Sequence, residues 1–180
     1  MILRRAALVL VVALAGGCAG TPTGSPGILF VPTPERVGIE MLKLAGATKD
    51  DVVYDLGSGD GRLVIAAARE FGARGVGVEL EAKLVQDSRE SALKAGVADR
   101  TQFLWQDIFQ TDVAPATVVA LYMSPELNMK LRPKLLRELR PGARIVAHDF
   151  DMGDWRPART LRVQVPTRVH ALHLWIVPAK

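Results

Sequence analysis

Between Val52 and Ala68 the chain reads V-V-Y-D-L-G-S-G-D-G-R-L-V-I-A-A-A. This is a short β-branched and aromatic run, a turn with glycine at every second position, and an apolar helix. Val52 to Leu56 predicts a buried strand. Gly57, Gly59 and Gly61 let the backbone bend sharply and approach a ligand with no Cβ in the way. The helix from about Arg62 to Glu70 aims its unpaired N–H groups and positive dipole end back at the turn, a place suited to an anionic group. A dinucleotide fold would space its glycines G-x-G-x-x-G. Here the spacing is G-x-G-x-G, preceded by Asp55 at the strand end. Taken alone, it also suits a glycine turn in some other α/β protein.

Strands and helices alternate downstream. Pro34 and Glu35 prepare a first helix that Thr33 can cap, with Val37, Met41, Leu44 and Ala45 on one face. Gly75 to Glu79 reads as the second strand and ends in an acid. A carboxylate at the tip of that strand is where α/β cofactor sites accept hydrogen bonds from ribose hydroxyls. Ala82 to Ala95 is a helix with Leu84, Val85, Ser88 and Ala92 inward. Thr101 to Leu104 is the third strand, followed by Asp107 and Ile108. Ala116 to Met123 is a continuous apolar run, hence a central strand covered on both faces. Leu127 to Leu139 is a helix in which Pro133 implies a kink or break. Ala143 to Ala147 is the fifth strand, ending at His148, and candidate strands follow at Leu161–Val165 and His170–Val177. The order predicts a mostly parallel sheet closed by a strand pair, with an antiparallel strand at one side.

Chain length bounds this to one domain with a proper core. Net charge is +4, and loss of Arg4 and Arg5 by cleavage after Gly17 would leave 21 basic against 19 acidic residues. That balance is too mild to argue for nucleic acid. Cys18 is the only cysteine, which excludes an internal disulfide or a thiolate metal cluster. His170 and His173 fall i, i+3 on one strand, which sets their rings on opposite faces and argues against a metal site there.

Residues 1–18 have the shape of an export signal: Arg4 and Arg5, an apolar stretch from Ala6 to Ala15, and Gly16-Gly17-Cys18. The stretch is short of the ~20 residues a membrane-spanning helix needs. Leu14 to Cys18 resembles a bacterial lipoprotein box, with Ala15 in place of the usual leucine, and that resemblance implies lipidation at Cys18. Residues 19–29 read as a flexible Gly/Pro/Thr/Ser tether, and the domain runs over 30–180. The expectation is a membrane-attached, exported lipoprotein, with a cytoplasm-facing anchor as the alternative.

D-L-G-S-G-D-G resembles the first motif of the class I S-adenosylmethionine (SAM) methyltransferases. F-V-P-T-P-E-R-V, G-V-G-V-E, N-M-K-L-R-P-K-L, L-R-P-G-A-R-I-V-A-H-D-F and W-R-P occur around it in the order found in protein-lysine methyltransferases of archaea, with a mitochondrial relative. The resemblance implies a Rossmann-like α/β domain and SAM as cofactor. It implies cofactor contacts at Asp55, Gly57, Gly59, Gly61, Glu79, Asp107 and Ile108, with the segment around Thr33 packed nearby. SAM carries a carboxylate, an ammonium and a sulfonium, so a site with backbone donors and carboxylates together suits it. The expected reaction is methyl transfer to a protein lysine amine. A small-molecule O-, S- or N-methyltransferase and a non-catalytic SAM-binding lipoprotein are the alternatives. Tyr122, Asn128, His148, Phe150 and Trp155 lie at or beyond the ends of the fourth and fifth strands, where ligands of open α/β sheets bind. They are the acceptor-side candidates, and their aromatic faces suit an ammonium or sulfonium. Each also has a plain structural reading, as core or as a hydrogen-bonded strand end.

Overall fold

A computed structural model describes residues 31–179, so the export-type segment, most of the tether and Cys18 lie outside the described residues. Seven strands form one sheet: β1 (Val52–Leu56), β2 (Arg74–Glu79), β3 (Thr101–Trp105), β4 (Val118–Leu121), β5 (Arg144–His148), β6 (Arg159–Gln164) and β7 (Val169–Ile176). Their order is β3-β2-β1-β4-β5-β7-β6. β1 to β5 pair in parallel, and β7 runs antiparallel to both β5 and β6. The order in which strands are added reverses between β1 and β4, which opens a crevice at the C-terminal strand ends.

Helices α1 (Glu35–Leu44), α2 (Arg62–Phe71) and α3 (Ala82–Lys94) precede α4 (Pro125–Glu138). One core joins Val37, Met41 and Leu42 of α1 to Val53, Val118, Val146, Leu172 and Leu174 of the sheet. A second, on the face that α4 covers, joins Leu131 and Leu135 to Leu56, Leu121, Ile145 and Trp175. Residues of β4 alternate between the two cores, and the strand is buried throughout, as its unbroken apolar run requires. The glycines of β2 let α2 and its neighbours lie close to the sheet: a Cβ on Gly75 would stand 2.7 Å from Val64 Cγ1, and one on Gly77 2.7 Å from Phe103.

Two local expectations change. Thr33 does not cap α1: Pro34 occupies the cap position without a side-chain hydrogen bond, and the Thr33 hydroxyl meets His148 instead. α4 runs unbroken through Pro133. The missing Pro133 N–H strands only the Met129 carbonyl, and Met129 sits on the exposed side, where water can serve that oxygen. At the other end of the sheet, Asp51 accepts from the Thr48 N–H (2.8 Å), the Thr117 hydroxyl (2.7 Å) and the Arg144 guanidinium. Arg144 also donates to Ala45 O and Gly46 O. That cluster ties the end of α1 to the starts of β1, β4 and β5.

Candidate active site

The glycine turn leaves β1 with Gly57, Gly59 and Gly61 all at positive φ (83°, 53° and 75°). The N–H groups of Gly57 and Ser58 both donate to Val78 O, which pins the turn over β2. Glu79 spans the gap: its Oε2 accepts from the Gly59 N–H at 2.9 Å, while Oε1 takes the N–H groups of Leu80 and Glu81. Gly61 has a packing reason of its own, since a Cβ there would lie 2.6 Å from Phe103 and 2.8 Å from Ser88. Asp55 is buried beneath the turn. Burial first, then the like charges of Glu79 and Asp60, push its carboxyl up to about 7. No counter-charge compensates it among the described residues. Such a group gains from any ligand that brings an ammonium to it.

Along the same edge, Asp107 closes a turn by accepting from the Phe109 N–H (2.9 Å) through Oδ1. Ile108 beside it is buried in the α4-side core. Leu80 and Trp105 are 56% and 70% exposed at the ends of β2 and β3, joined by the Trp105 indole N–H donating to Leu80 O at 2.9 Å. Apolar surface left open beside two strand-end carboxylates suits a flat aromatic base with a ribose. Sequence reasoning passed over Leu80 and Trp105, because a lone apolar residue at a strand end carries no signal until its exposure is known.

Beyond β4 and β5 the candidates divide. Tyr122 stacks on His148 with centroids 3.9 Å apart, and Phe150 lies 6.1 Å from Tyr122 at 16° between planes. These three form one layered group. Thr33 Oγ1 is 3.1 Å from His148 Nδ1, and Arg62 donates to the Thr33 carbonyl at 3.2 Å. The segment before α1 is thereby held between the start of α2 and the end of β5. Trp155 is elsewhere. It packs on Trp175 (6.1 Å) under the Arg132 guanidinium (5.9 Å), and its carbonyl accepts from the Trp175 indole N–H. Asn128 is fully buried, donating to Phe150 O and Asp151 O, so it shapes the loop that carries Phe150.

Sequence reasoning missed Asp149, Arg168 and His170. Asp149 is the one described non-glycine residue at positive φ, 62°. It exchanges hydrogen bonds with Ala171, its N–H donating to Ala171 O (2.7 Å) and its Oδ1 accepting from the Ala171 N–H (2.9 Å). Arg168 meets its Oδ2 at 2.6 Å. Burial raises the Asp149 carboxyl, but the Ala171 N–H, Arg168 and His148 outweigh it and bring it below the usual range. His148, Asp149 and His170 present their polar atoms within 4.8 Å of one another, and the cation facing them is the Arg168 guanidinium. His170 and His173 do lie on opposite faces: His170 meets His148, His173 meets Thr160. Only folding brings position 170 beside 148, so no local pattern could have marked the pair.

This strand order, with a glycine turn over an uncompensated carboxylate and a second acid at the tip of β2, defines a class I SAM-dependent methyltransferase. The model of the ANTKMT methyltransferase domain matches residues 55–159. The chain belongs to that family. It is 37% identical over 153 residues to a protein-lysine N-methyltransferase of Saccharolobus islandicus, covering 84% of this chain and 95% of the relative. It is also 36% identical over 106 residues to the mouse adenine nucleotide translocase lysine N-methyltransferase, covering 58% of this chain and 46% of that longer protein. Among solved structures it is similar to an RNA methyltransferase from Salinibacter ruber in complex with S-adenosyl-L-homocysteine. The identity there is 50% and the TM-score 0.79, with 83% of this chain and 95% of that one covered. The chain is a SAM-dependent methyltransferase.

Proposed function

We propose that the chain transfers methyl from SAM to the side-chain amine of a protein lysine. The observation that carries this reading is similarity to a protein-lysine N-methyltransferase that spans 84% of this chain and 95% of that relative. The layered Tyr122–His148–Phe150 group supports it, since stacked rings at the strand ends suit an ammonium-bearing acceptor. In this reading Asp55 holds the SAM ammonium, the glycine turn passes its methionyl part, Glu79 holds the ribose, and Asp107 the adenine with Leu80 and Ile108. SAM supplies a methyl on a good leaving group, so the protein's task is alignment and removal of the amine's proton. RNA is the second reading, raised by the Salinibacter ruber relative. Incubation of lysate with methyl-labelled SAM and the full chain tests both. Label that resists ribonuclease, yields to protease and hydrolyses to methyl-lysine supports the proposal. Ribonuclease-sensitive label overturns it, and label on small molecules selects the small-molecule alternative.

We further propose membrane attachment through lipidated Cys18, supported by the basic start, the short apolar stretch and the Gly-Gly-Cys ending. Export would separate the enzyme from the compartment where SAM is made, so a supply of cofactor would have to accompany it. Membrane fractionation of wild type and Cys18→Ser, with mass spectrometry of the N-terminus, tests the attachment. A soluble wild type that retains Met1 overturns it.

A further inference from the structure

Thr33, His148 and His170 make one continuous row. Thr33 Oγ1 is 3.1 Å from His148 Nδ1, and His148 Nε2 is 2.6 Å from His170 Nδ1. Both rings are buried, while Thr33 is half-buried, so Thr33 is the end of the row nearer the surface. The blind end is His170 Nε2, buried with no hydrogen-bond partner. Asp149 Oδ2 faces the junction of the rings, 3.4 Å from His148 Nε2 and 3.7 Å from His170 Nδ1. Two neutral imidazoles in such contact hold one proton between them. The other ring proton lies either on His148 Nδ1, aimed at Thr33, or on His170 Nε2, where nothing accepts it. The two arrangements differ in the direction of every hydrogen bond in the row, which is the property needed to hand on a proton.

We propose that this row is a proton path that relieves the acceptor amine of its proton, with the Thr33 hydroxyl touching the acceptor and Asp149 as a positioning residue. The inference rests on the reading of the acceptor as an amine. The acceptor enters as R–NH3+. Its proton passes to Thr33 Oγ1 as the hydroxyl proton passes to His148 Nδ1 and the His148 Nε2 proton to His170 Nδ1. The positive charge then rests on His170 beside the Asp149 carboxylate. The freed lone pair forms the N–C bond as the methyl–sulfur bond breaks, its electrons staying on sulfur, and the proton returns along the row to water after product leaves. The titratable and charged groups facing His148 are His170 and Arg168 from β7 and the segment before it, Asp149 from the end of β5, and Tyr122 from the end of β4. Burial lowers the His148 imidazole to about 4, so that ring passes a proton on rather than storing it.

The test uses the full chain, methyl-labelled SAM and poly-L-lysine, with kcat followed against pH. Wild type is expected to vary little around neutrality. Thr33→Val and His170→Gln are expected to lose about tenfold or more there and to regain about tenfold per pH unit towards alkali, as the amine deprotonates in water. His170→Gln should leave SAM affinity unchanged, and Thr33→Ser should keep the wild-type profile. An equal loss at every pH, or no loss, overturns the path. Nitrogen NMR of the imidazoles in the cofactor-free chain gives a second readout. One proton shared by His148 and His170, with the His148 tautomer shifted by Thr33→Val, supports the row. Two rings indifferent to that substitution overturn it. Absence of methyl-lysine from labelled lysate, in the test above, refutes the lysine reading, while the nitrogen spectra still decide the row.

Discussion

Asp55→Asn is the substitution whose effect the geometry fixes best. The native carboxyl is buried, faces Glu79 and Asp60, and is raised from 3.8 to about 7. A carboxyl raised in the folded state contributes stability that is fully present below its unfolded value. That contribution is lost as pH rises to the folded value, because over this window the native protein binds the extra proton. Three units correspond to about 4 kcal/mol in all, and about 3 kcal/mol of that falls between about pH 5 and pH 8. Asparagine keeps the shape and cannot ionise. The stability of the Asn variant relative to wild type should therefore improve by about 3 kcal/mol between about pH 5 and about pH 8. Urea unfolding at the two pH values, without SAM, measures it. The same variant should bind SAM more weakly at about pH 8, since the neutral amide offers no charge to the ammonium. A stability difference that does not move with pH would refute the assignment of Asp55 as an uncompensated buried acid.

Gly61→Ala should destabilise by more than about 2 kcal/mol, read by thermal melting, because its φ of 75° and the nearness of Phe103 and Ser88 leave no place for a methyl. Glu79→Ala should weaken SAM binding by about 1–3 kcal/mol with the fold intact; calorimetry showing unchanged affinity would remove Glu79 from the site. Arg144→Met should cost about 3 kcal/mol near neutral pH by leaving Asp51 buried without its cation. Burial raises Asp51, but Thr117, the Thr48 N–H and Arg144 together bring it below the usual carboxylate range. Its stabilisation is present above the unfolded value and lost as pH falls, so the gap between denaturant curves of Arg144→Met and wild type should narrow in acid.

Local chemistry made the glycine turn and its flanking acids, the proposed cofactor side, legible. A strand, a turn that needs positive φ and a helix follow one another in sequence, and Glu79 falls at the tip of the next strand. Asp55, Gly57, Gly59, Gly61 and Glu79 are thus gathered by two adjacent strands and the connection between them. The proposed acceptor side was legible only in outline. Tyr122, His148 and Phe150 share one stack because β4 and β5 are neighbours. Trp155, similar on paper, lies in the α4-side core against Trp175.

The sequence by itself determined the alternation of strands and helices, the burial of β4 on both faces and the acids at the ends of β1 and β2. All of these follow from periodicity and turn chemistry within about ten residues. Tertiary structure alone decided what Thr33 does: a residue suited to capping α1 turns its hydroxyl to a histidine 115 positions away. It also decided that His170 meets His148 and that Asp149 takes a left-handed backbone locked to Ala171. The cause is the reversal of β7, which returns the chain antiparallel beside β5 and pairs His148 with Leu172. Strand pairing over such a separation depends on which edge of the sheet is open when the chain comes back, and no short stretch of residues encodes that.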